Sequence, residues 1–215
     1  PLLCLDHEDE EVREAIERVA GEDVVWVPRA GEDAQEVARG MASVIGSRIG
    51  WKIMETDVLW PGRSMDRIDW SGAEVVLSAA HNSESLSHDL GRLGSERHVL
   101  VVGMTQKEDL SESIEPLLHS EGRIRTIVTE VHGGRSPSVH AETLSEHLSV
   151  DSGQPPLIIK EPIEAIDNAS RIASEEGCTV YVTGSVYLVG KAIEEMASRD
   201  AGDLWDYLEA HPPRS

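Results

Sequence analysis

Lysine is scarce in this chain of 215 residues, and basic residues as a whole are outnumbered. The four lysines are Lys52, Lys107, Lys160 and Lys191. Lysine and arginine together number 19 against 40 aspartate and glutamate residues, which gives a formal net charge of −21. Nucleic acids and anionic membranes are bound through basic patches, and no basic stripe is visible, so neither is expected as a partner. Because like charges repel, we expect the folded chain to gain stability from added salt.

Cysteines and long apolar runs are also few. Cys4 and Cys178 lie far apart in apolar contexts, which predicts two buried free thiols in a reducing cytoplasm. No apolar run approaches the roughly 20 residues that span a bilayer, and no signal peptide is visible. The motifs H-E-x-x-H, C-x-x-C, G-x-S-x-G and G-x-G-x-x-G are missing, which argues against the zinc, dithiol, esterase and dinucleotide chemistries that they mark. The scarcity of cysteine and the lack of a visible membrane span or signal peptide predict a cytoplasmic protein.

Apolar strand-like segments alternate with amphipathic helical segments along most of the chain. From residue 73 onwards, strands are predicted at 74–78, 98–102, 124–130, 157–160 and 179–182. Helices are predicted at 84–93, 109–119, 139–148, 162–176 and 186–198. This alternation predicts an α/β fold with a doubly wound, mostly parallel sheet. A shorter strand–helix–strand–helix pattern occupies residues 1–45, and the stretch 46–72 has irregular patterning, so we place a domain boundary within it.

One polar pair follows a predicted strand. His81 and Asn82 come just after the apolar run that ends at Ser78 and just before a helix. Open α/β sheets bind ligands at the carboxyl ends of their strands. The residue chemistry leaves two roles open, because such a pair can bind an anion at the helix N-terminus or simply cap the helix.

Two other segments present groups suited to anions. Arg63 follows the rigid Pro61-Gly62 turn, and a guanidinium there can bind phosphate or carboxylate in bidentate fashion or form an ordinary surface ion pair. Ser185 follows Gly184 at the end of a predicted strand, where it can bind an anion or cap the next helix.

In order and spacing, the segments 61–63, 78–83 and 182–190 resemble the C-terminal third of the folylpolyglutamate synthase/dihydrofolate synthase family of Mur-type ligases. That family carries a PGR turn, a DGAHNP strand end and a VTGSLYLVG strand–turn–helix. The resemblance covers residues 60 to 192. It implies a Rossmann-like Mur-ligase C-terminal domain at 73–215, a linker with the PGR turn at 58–72, and the truncated end of an α/β central ATP-binding domain at 1–57.

The resemblance also implies an activity. The family uses ATP and Mg²⁺ to convert a folate or dihydropteroate carboxylate into an acyl phosphate, which L-glutamate then attacks. Since the metal ligands and the phosphate loop belong to the N-terminal part of such enzymes, this chain alone is expected to be inactive. The alternatives are a non-catalytic nucleotide- or ligand-binding domain and a Mur-type ligase that acts on another acid.

The resemblance assigns roles to single residues. His81 and Ser185 match catalytic positions that help to receive glutamate. The positions that match ATP-contacting residues are Arg63, Ser78, Asn82 and Lys107. Lys107 lies in the segment 103–109, which is similar to the family's G-x-x-K-D-K-D turn and could equally be a solvated turn capped by Asp109. Two positions depart from the pattern: Ser78 replaces an aspartate that holds the ATP ribose, and Met65 replaces a common glutamate.

Overall fold

The computed structural model describes residues 1–31, 34–51, 62, 65–149 and 154–200. The chain divides into two compact units, Pro1–Asp57 and Val58–Ser215. The first unit contains β1 (Leu2–Leu5), α1 (Glu10–Ala20), β2 (Val24–Val27) and α2 (Ala34–Ile49). Strands β1 and β2 pair in parallel, which requires a crossover, and α1 provides it.

The second unit is built on a six-stranded sheet. Its elements are β3 (Asp66–Trp70), β4 (Ala73–Leu77), α3 (Ser83–Leu93), β5 (His98–Val102), α4 (Leu110–Leu118), β6 (Arg123–Val128), α5 (Ala141–Leu148), β7 (Leu157–Ile158), α6 (Pro162–Glu176), β8 (Thr179–Thr183) and α7 (Val186–Asp200). The strand order is β3-β4-β8-β5-β6-β7, and among these described strands β3 runs antiparallel to β4 while the other neighbours pair in parallel. The predicted α/β fold with a mostly parallel sheet is confirmed.

Both faces of this sheet are covered by helices. Alternate strand residues point to opposite faces, so that Val180 and Val182 of β8 join one core cluster while Tyr181 joins the other. Helices α6 and α7 contribute to the first cluster, for example through Ala165 and Leu188. The second cluster receives residues of α3, α4 and α5. Burying each large apolar side chain contributes roughly 1.5–3 kcal/mol, so the two clusters hold the strand ends firmly in place.

The position of β8 creates a reversal in the strand order. The chain passes from β4 to β5 and outward to β7, and then returns to place β8 between β4 and β5. Ligands bind in open α/β sheets where the order reverses in this way, outside the carboxyl ends of the strands. The loops that follow β4, β8 and β5 therefore form the candidate ligand-binding region.

The structure corrects several details of the prediction. The stretch Gly46–Gly72 is not wholly irregular, because α2 continues to Ile49 and residues 66–70 form β3. The alternation in β3 was hidden because Asp66 is one of its buried residues, at 8% exposure, and faces inward like Trp70. Strand β7 ends at Ile158 instead of at residue 160, although the backbone hydrogen bonds from the Ile159 amide to the Val128 carbonyl and from the Glu130 amide to the Lys160 carbonyl continue beyond it.

Other predictions concern the surface and the chain ends. Cys4 and Cys178 are free thiols, but both are partly exposed instead of buried, since each lies in or just before a short strand. A short helix predicted at 203–208 lies outside the described residues. Within the described part of the chain, no helix is both long and apolar enough to cross a membrane.

Candidate functional site

Backbone hydrogen bonds tie the ends of β4, β8 and β5 together. The Ser78 amide donates to the Val182 carbonyl at 2.9 Å, and the Gly184 amide donates to the Ala80 carbonyl at 2.9 Å. Gly184 has a φ of +101°, and a Cβ atom there would lie 2.7 Å from the Gly103 carbonyl oxygen. Only glycine fits this position, because both the conformation and the close approach exclude a side chain.

The glycine of the predicted PGR turn joins this region. The Ala79 amide donates to the Gly62 carbonyl at 2.7 Å. Gly62 has a φ of +77°, and a Cβ atom there would lie 2.2 Å from Cγ1 of Val189 in α7. The three motif segments, of which Gly62 and Val189 are 127 positions apart in the sequence, therefore meet at one end of the sheet. Arg63 itself lies outside the described residues.

His81 is half-buried and oriented by its own loop. Its Nδ1 lies 2.9 Å from the Ala79 carbonyl oxygen, and its backbone amide donates to the Ser85 hydroxyl at 3.1 Å. A carbonyl oxygen can only accept, so Nδ1 must carry a hydrogen and Nε2 is the nitrogen left to bind a ligand.

Asn82 caps helix α3. Its Oδ1 accepts from the Ser85 amide at 2.9 Å, and the Ser85 hydroxyl in turn accepts from the Asn82 amide at 3.3 Å, which forms a reciprocal capping box. This geometry matches the capping role that residue chemistry allowed. A contact between Asn82 and a nucleotide stays a prediction.

Ser185 and Lys107 differ in how they are placed. Ser185 is 3% exposed, and its hydroxyl accepts from the Tyr187 amide at 3.2 Å, as expected at the start of a helix. Lys107 is partly exposed on the loop after β5, where Asp109 caps α4 by accepting from the Glu112 amide at 2.9 Å. Among the described residues, no hydrogen bond or ion pair joins Lys107 to His81 or the other predicted site residues.

Ser78 lies at the centre of a buried polar cluster. Its side chain is fully buried, and its hydroxyl donates to Oδ2 of Asp89 at 2.6 Å and lies 3.2 Å from the Thr183 hydroxyl. The hydroxyl of Tyr181 lies beside it. Burial raises the pKa of Tyr181 to about 12, although the neighbouring hydroxyls of Ser78 and Thr183 lower it. The predicted nucleotide-contacting serine is thus joined to a carboxylate from α3.

A second buried carboxylate holds the Gly62 turn. Asp66 accepts a hydrogen bond from the Gly62 amide through Oδ2, while its Oδ1 has no hydrogen-bond partner among the residues that the structure describes. Burial raises the pKa of Asp66, and the bond from Gly62 lowers it less. Asp66 therefore fixes the turn that precedes Arg63 in the sequence.

Solved structures of folylpolyglutamate synthases share this architecture. FolC of E. coli in complex with DHPP and ADP matches with a TM-score of 0.67 at 18% identity, covering 93% of this chain and 54% of that one. The Mycobacterium tuberculosis enzyme complexed with ADP and AMPPCP matches with a TM-score of 0.64 at 21% identity, and the match covers 82% of this chain and 42% of that one. The Thermotoga maritima enzyme matches with a TM-score of 0.60 at 18% identity, and the match covers 96% of this chain and 56% of that one. The chain folds like part of a folylpolyglutamate synthase.

Identities this low show the fold alone, and the chain spans about half the length of these synthases. No protein-family model matches the sequence, and no curated protein matches it. The resemblance predicted from the three motif segments is confirmed at the level of the fold.

Sequence reasoning missed Asp66, Asp89 and Tyr181. A signal exists for Asp89, which follows Leu86 by three residues and precedes Leu93 by four, so the helical period places it on the buried side of α3. A charged residue on an apolar face needs a partner. The sequence offers no way to see that the partner is Ser78.

The described residues do not offer a metal site. Among them, no group of three or more histidine, cysteine, aspartate or glutamate side chains is arranged to hold a metal ion. The Mg²⁺ ligands that the resemblance implies for the N-terminal part of such enzymes stay a prediction.

Proposed function

We propose that this chain provides the nucleotide- and glutamate-binding part of an ATP-dependent ligase of the folylpolyglutamate/dihydrofolate synthase type. The observation that carries the proposal is the meeting of Gly62, Ala79–Asn82 and Gly184–Val189 at the carboxyl ends of β4 and β8. Matched synthases of the same fold are complexed with ADP, and one is complexed with DHPP as well. A folate-type acid and L-glutamate are accordingly the proposed substrates.

The proposed reaction has two steps. The γ-phosphoryl group of ATP passes to a carboxylate oxygen of the acceptor and leaves ADP. The amine of L-glutamate then attacks the acyl carbon, phosphate departs, and the amine loses a proton as the amide forms. When bound to the phosphates, Mg²⁺ neutralises part of their charge.

His81 has the best-defined geometry for this chemistry. With Nδ1–H donated to the Ala79 carbonyl, Nε2 of the neutral ring can accept a hydrogen from the glutamate amine. The protonated ring would instead donate to a carboxylate or phosphate oxygen. Ser185 accepts from the Tyr187 amide, which leaves the hydroxyl hydrogen of Ser185 to bind a carboxylate at the start of α7.

A second candidate is a non-catalytic nucleotide-binding domain. The observation in its favour is the burial of Ser78, whose hydroxyl is donated to Asp89 instead of being offered at the surface. The two candidates agree on nucleotide binding and differ on turnover, so they need separate tests.

Nucleotide binding is tested by titrating the isotope-labelled chain with ADP and following backbone amide resonances. We expect shifts in the segments 78–82 and 183–187 and weaker binding by His81→Ala. The matched control is His119→Ala, because His119 is an exposed histidine, 68% accessible and paired with Glu115, beyond the other end of the strands. The proposal fails if saturating ADP shifts none of these resonances.

Turnover is tested in the polypeptide encoded by the complete reading frame. A G-x-x-G-K-[ST] segment at a strand–helix junction ahead of Pro1 would support the ligase, and ADP release should then require L-glutamate, a folate or dihydropteroate acceptor, and His81. Nucleotide binding without turnover on any pterin acceptor would favour the non-catalytic domain. The 215-residue chain alone should bind ADP without forming product.

A further inference from the structure

Asp89 is an unusual feature of helix α3. It lies nearly two turns into the helix, level with the end of β4, and its side chain is only 14% exposed. Its Oδ2 accepts from the buried Ser78 hydroxyl at 2.6 Å, while Oδ1 lies 3.1 Å from Nδ1 of the more exposed His88. One carboxylate oxygen of Asp89 is thus fixed inside the protein, and the other lies toward the more exposed side chain of His88.

The polar cluster around Asp89 is not closed. Tyr181 is 0% exposed, and its hydroxyl has no hydrogen-bond partner within the described residues, although Ser78, Thr183 and Asp89 surround it closely enough to influence its ionisation. Buried polar groups are almost always hydrogen-bonded, so the cluster contains one hydroxyl whose hydrogen is still free to be donated within it.

The carboxylate also has acceptor capacity to spare. An ionised carboxylate offers about four lone-pair sites, and the hydrogen bond from Ser78 and the approach of His88 use two of them. Two adjacent hydroxyl donors on a ligand would match what remains. A carboxylate near the end of a parallel strand is the usual acceptor for the ribose hydroxyls of a nucleotide in α/β folds.

We propose that Asp89 binds the ribose hydroxyls of the nucleotide at the end of β4, and that Ser78 positions its carboxylate. The inference rests on the proposed nucleotide-binding function. It assigns to helix α3 a carboxylate that the strand end lacks, since residue 78 is a serine.

The test compares two probes, ADP and 2′,3′-dideoxy-ADP, by calorimetric titration of the 215-residue chain. The wild-type chain should bind ADP at least tenfold more tightly than the dideoxy probe, because a hydrogen bond to a charged group is worth about a factor of ten or more. Asp89→Asn should lose most of this preference and leave affinity for the dideoxy probe nearly unchanged. Glu84→Gln, an exposed carboxylate change on the same helix, should keep the wild-type preference.

A second variant covers the case in which Asp89→Asn disturbs folding. The exchange S78D/D89S moves the carboxylate to the strand end and the serine to the helix, and it should restore the preference for ADP. Restoration supports the proposal, because the exchange returns one buried carboxylate to the same cluster.

Each other outcome is decisive. The role of Asp89 is overturned if Asp89→Asn keeps the wild-type preference for ADP. It is also overturned if Asp89→Asn loses affinity for both probes equally and the exchange does not restore it, or if the wild-type chain binds both probes equally. These outcomes leave the proposed function in place. Failure of the wild-type chain to bind either probe overturns the proposed function itself, and this inference with it.

Discussion

The contact between Gly62 and α7 provides the most direct test of how the site is assembled. Gly62→Ala places a methyl group where Cγ1 of Val189 lies 2.2 Å away, and Ile193 is at 4.0 Å. Valine is stiff in a helix, so it cannot rotate out of the way at low cost. We expect overpacking to cost about 1–3 kcal/mol, and the φ of +77° to add about 1 kcal/mol for a residue with a Cβ.

The expected loss in free energy of unfolding is therefore about 2–4 kcal/mol for Gly62→Ala. Val189→Ala removes two methyl groups from a side chain that is 2% exposed, which should cost about 2 kcal/mol. In the double variant the new methyl group occupies the space vacated by Val189. Its loss should fall short of the sum of the two single losses by about 2 kcal/mol.

The assay is urea unfolding followed through the indole N–H resonance of Trp70. That group is fully buried in the second unit and donates to Asp167 at 2.6 Å, so it reports on this unit separately from Pro1–Asp57. Additive losses, or a Gly62→Ala variant as stable as the wild type, would refute the packing of the turn on α7. The convergence of the three motif segments would then lose its structural basis.

Four further predictions concern single groups. His98 is fully buried, and desolvation lowers its pKa, so it stays neutral in the folded chain while the unfolded chain takes up a proton below pH 6.5. Stability should therefore fall as the pH drops from about 6.5 toward the folded pKa, by at most about 1.4 kcal/mol per pH unit, and a His98→Asn variant should show a smaller slope in acid unfolding curves. Burial raises the pKa of Asp66, so the protonated carboxyl group stabilises the folded chain at low pH and this contribution is lost as the pH rises through the raised pKa. Asp66→Asn should therefore be at least as stable as the wild type in urea unfolding at pH 7. The advantage of the variant should vanish near pH 3.8. Asn82→Ala should cost about 1 kcal/mol in urea unfolding by removing the α3 cap, and Asn82→Asp should retain the cap. Ser78→Asp alone should destabilise the chain in the same assay, with S78D/D89S closer to the wild type.

Much of the fold could be predicted from the sequence because its signals are local. A pattern of about ten residues is enough to predict each of the apolar strands β5 and β8 and the amphipathic helices that follow β4 and β7. Strand β3 was missed because its buried positions include Asp66, whose partner is the Gly62 amide. The burial of the Asp66 carboxylate depends on a tertiary hydrogen bond, which the hydrophobic periodicity of the sequence does not reveal.

The candidate site could be predicted in part for a related reason. His81, Asn82 and Ser185 follow strands directly, so their placement at the sheet edge follows from the order of the elements. Asp89 reaches the same edge from within a helix, and its partner Ser78 is eleven residues away. Whether two such side chains meet depends on how α3 rotates about its axis over the sheet, which the packing of Leu86 and Leu93 decides.

The pairing of Ser78 with Asp89 also changes how the departure at position 78 is interpreted. Taken alone, a serine where the resemblance implies a ribose-binding aspartate predicts a lost nucleotide site, and restoring the aspartate ought to restore binding. Ser78 Oγ lies 2.6 Å from the Asp89 carboxylate, so an aspartate there would bring two carboxylates together in a buried place. Even at an effective dielectric constant near 20, like charges about 4 Å apart repel by roughly 4 kcal/mol. The cluster therefore accommodates one carboxylate, and the serine at position 78 is what allows that carboxylate to come from the helix.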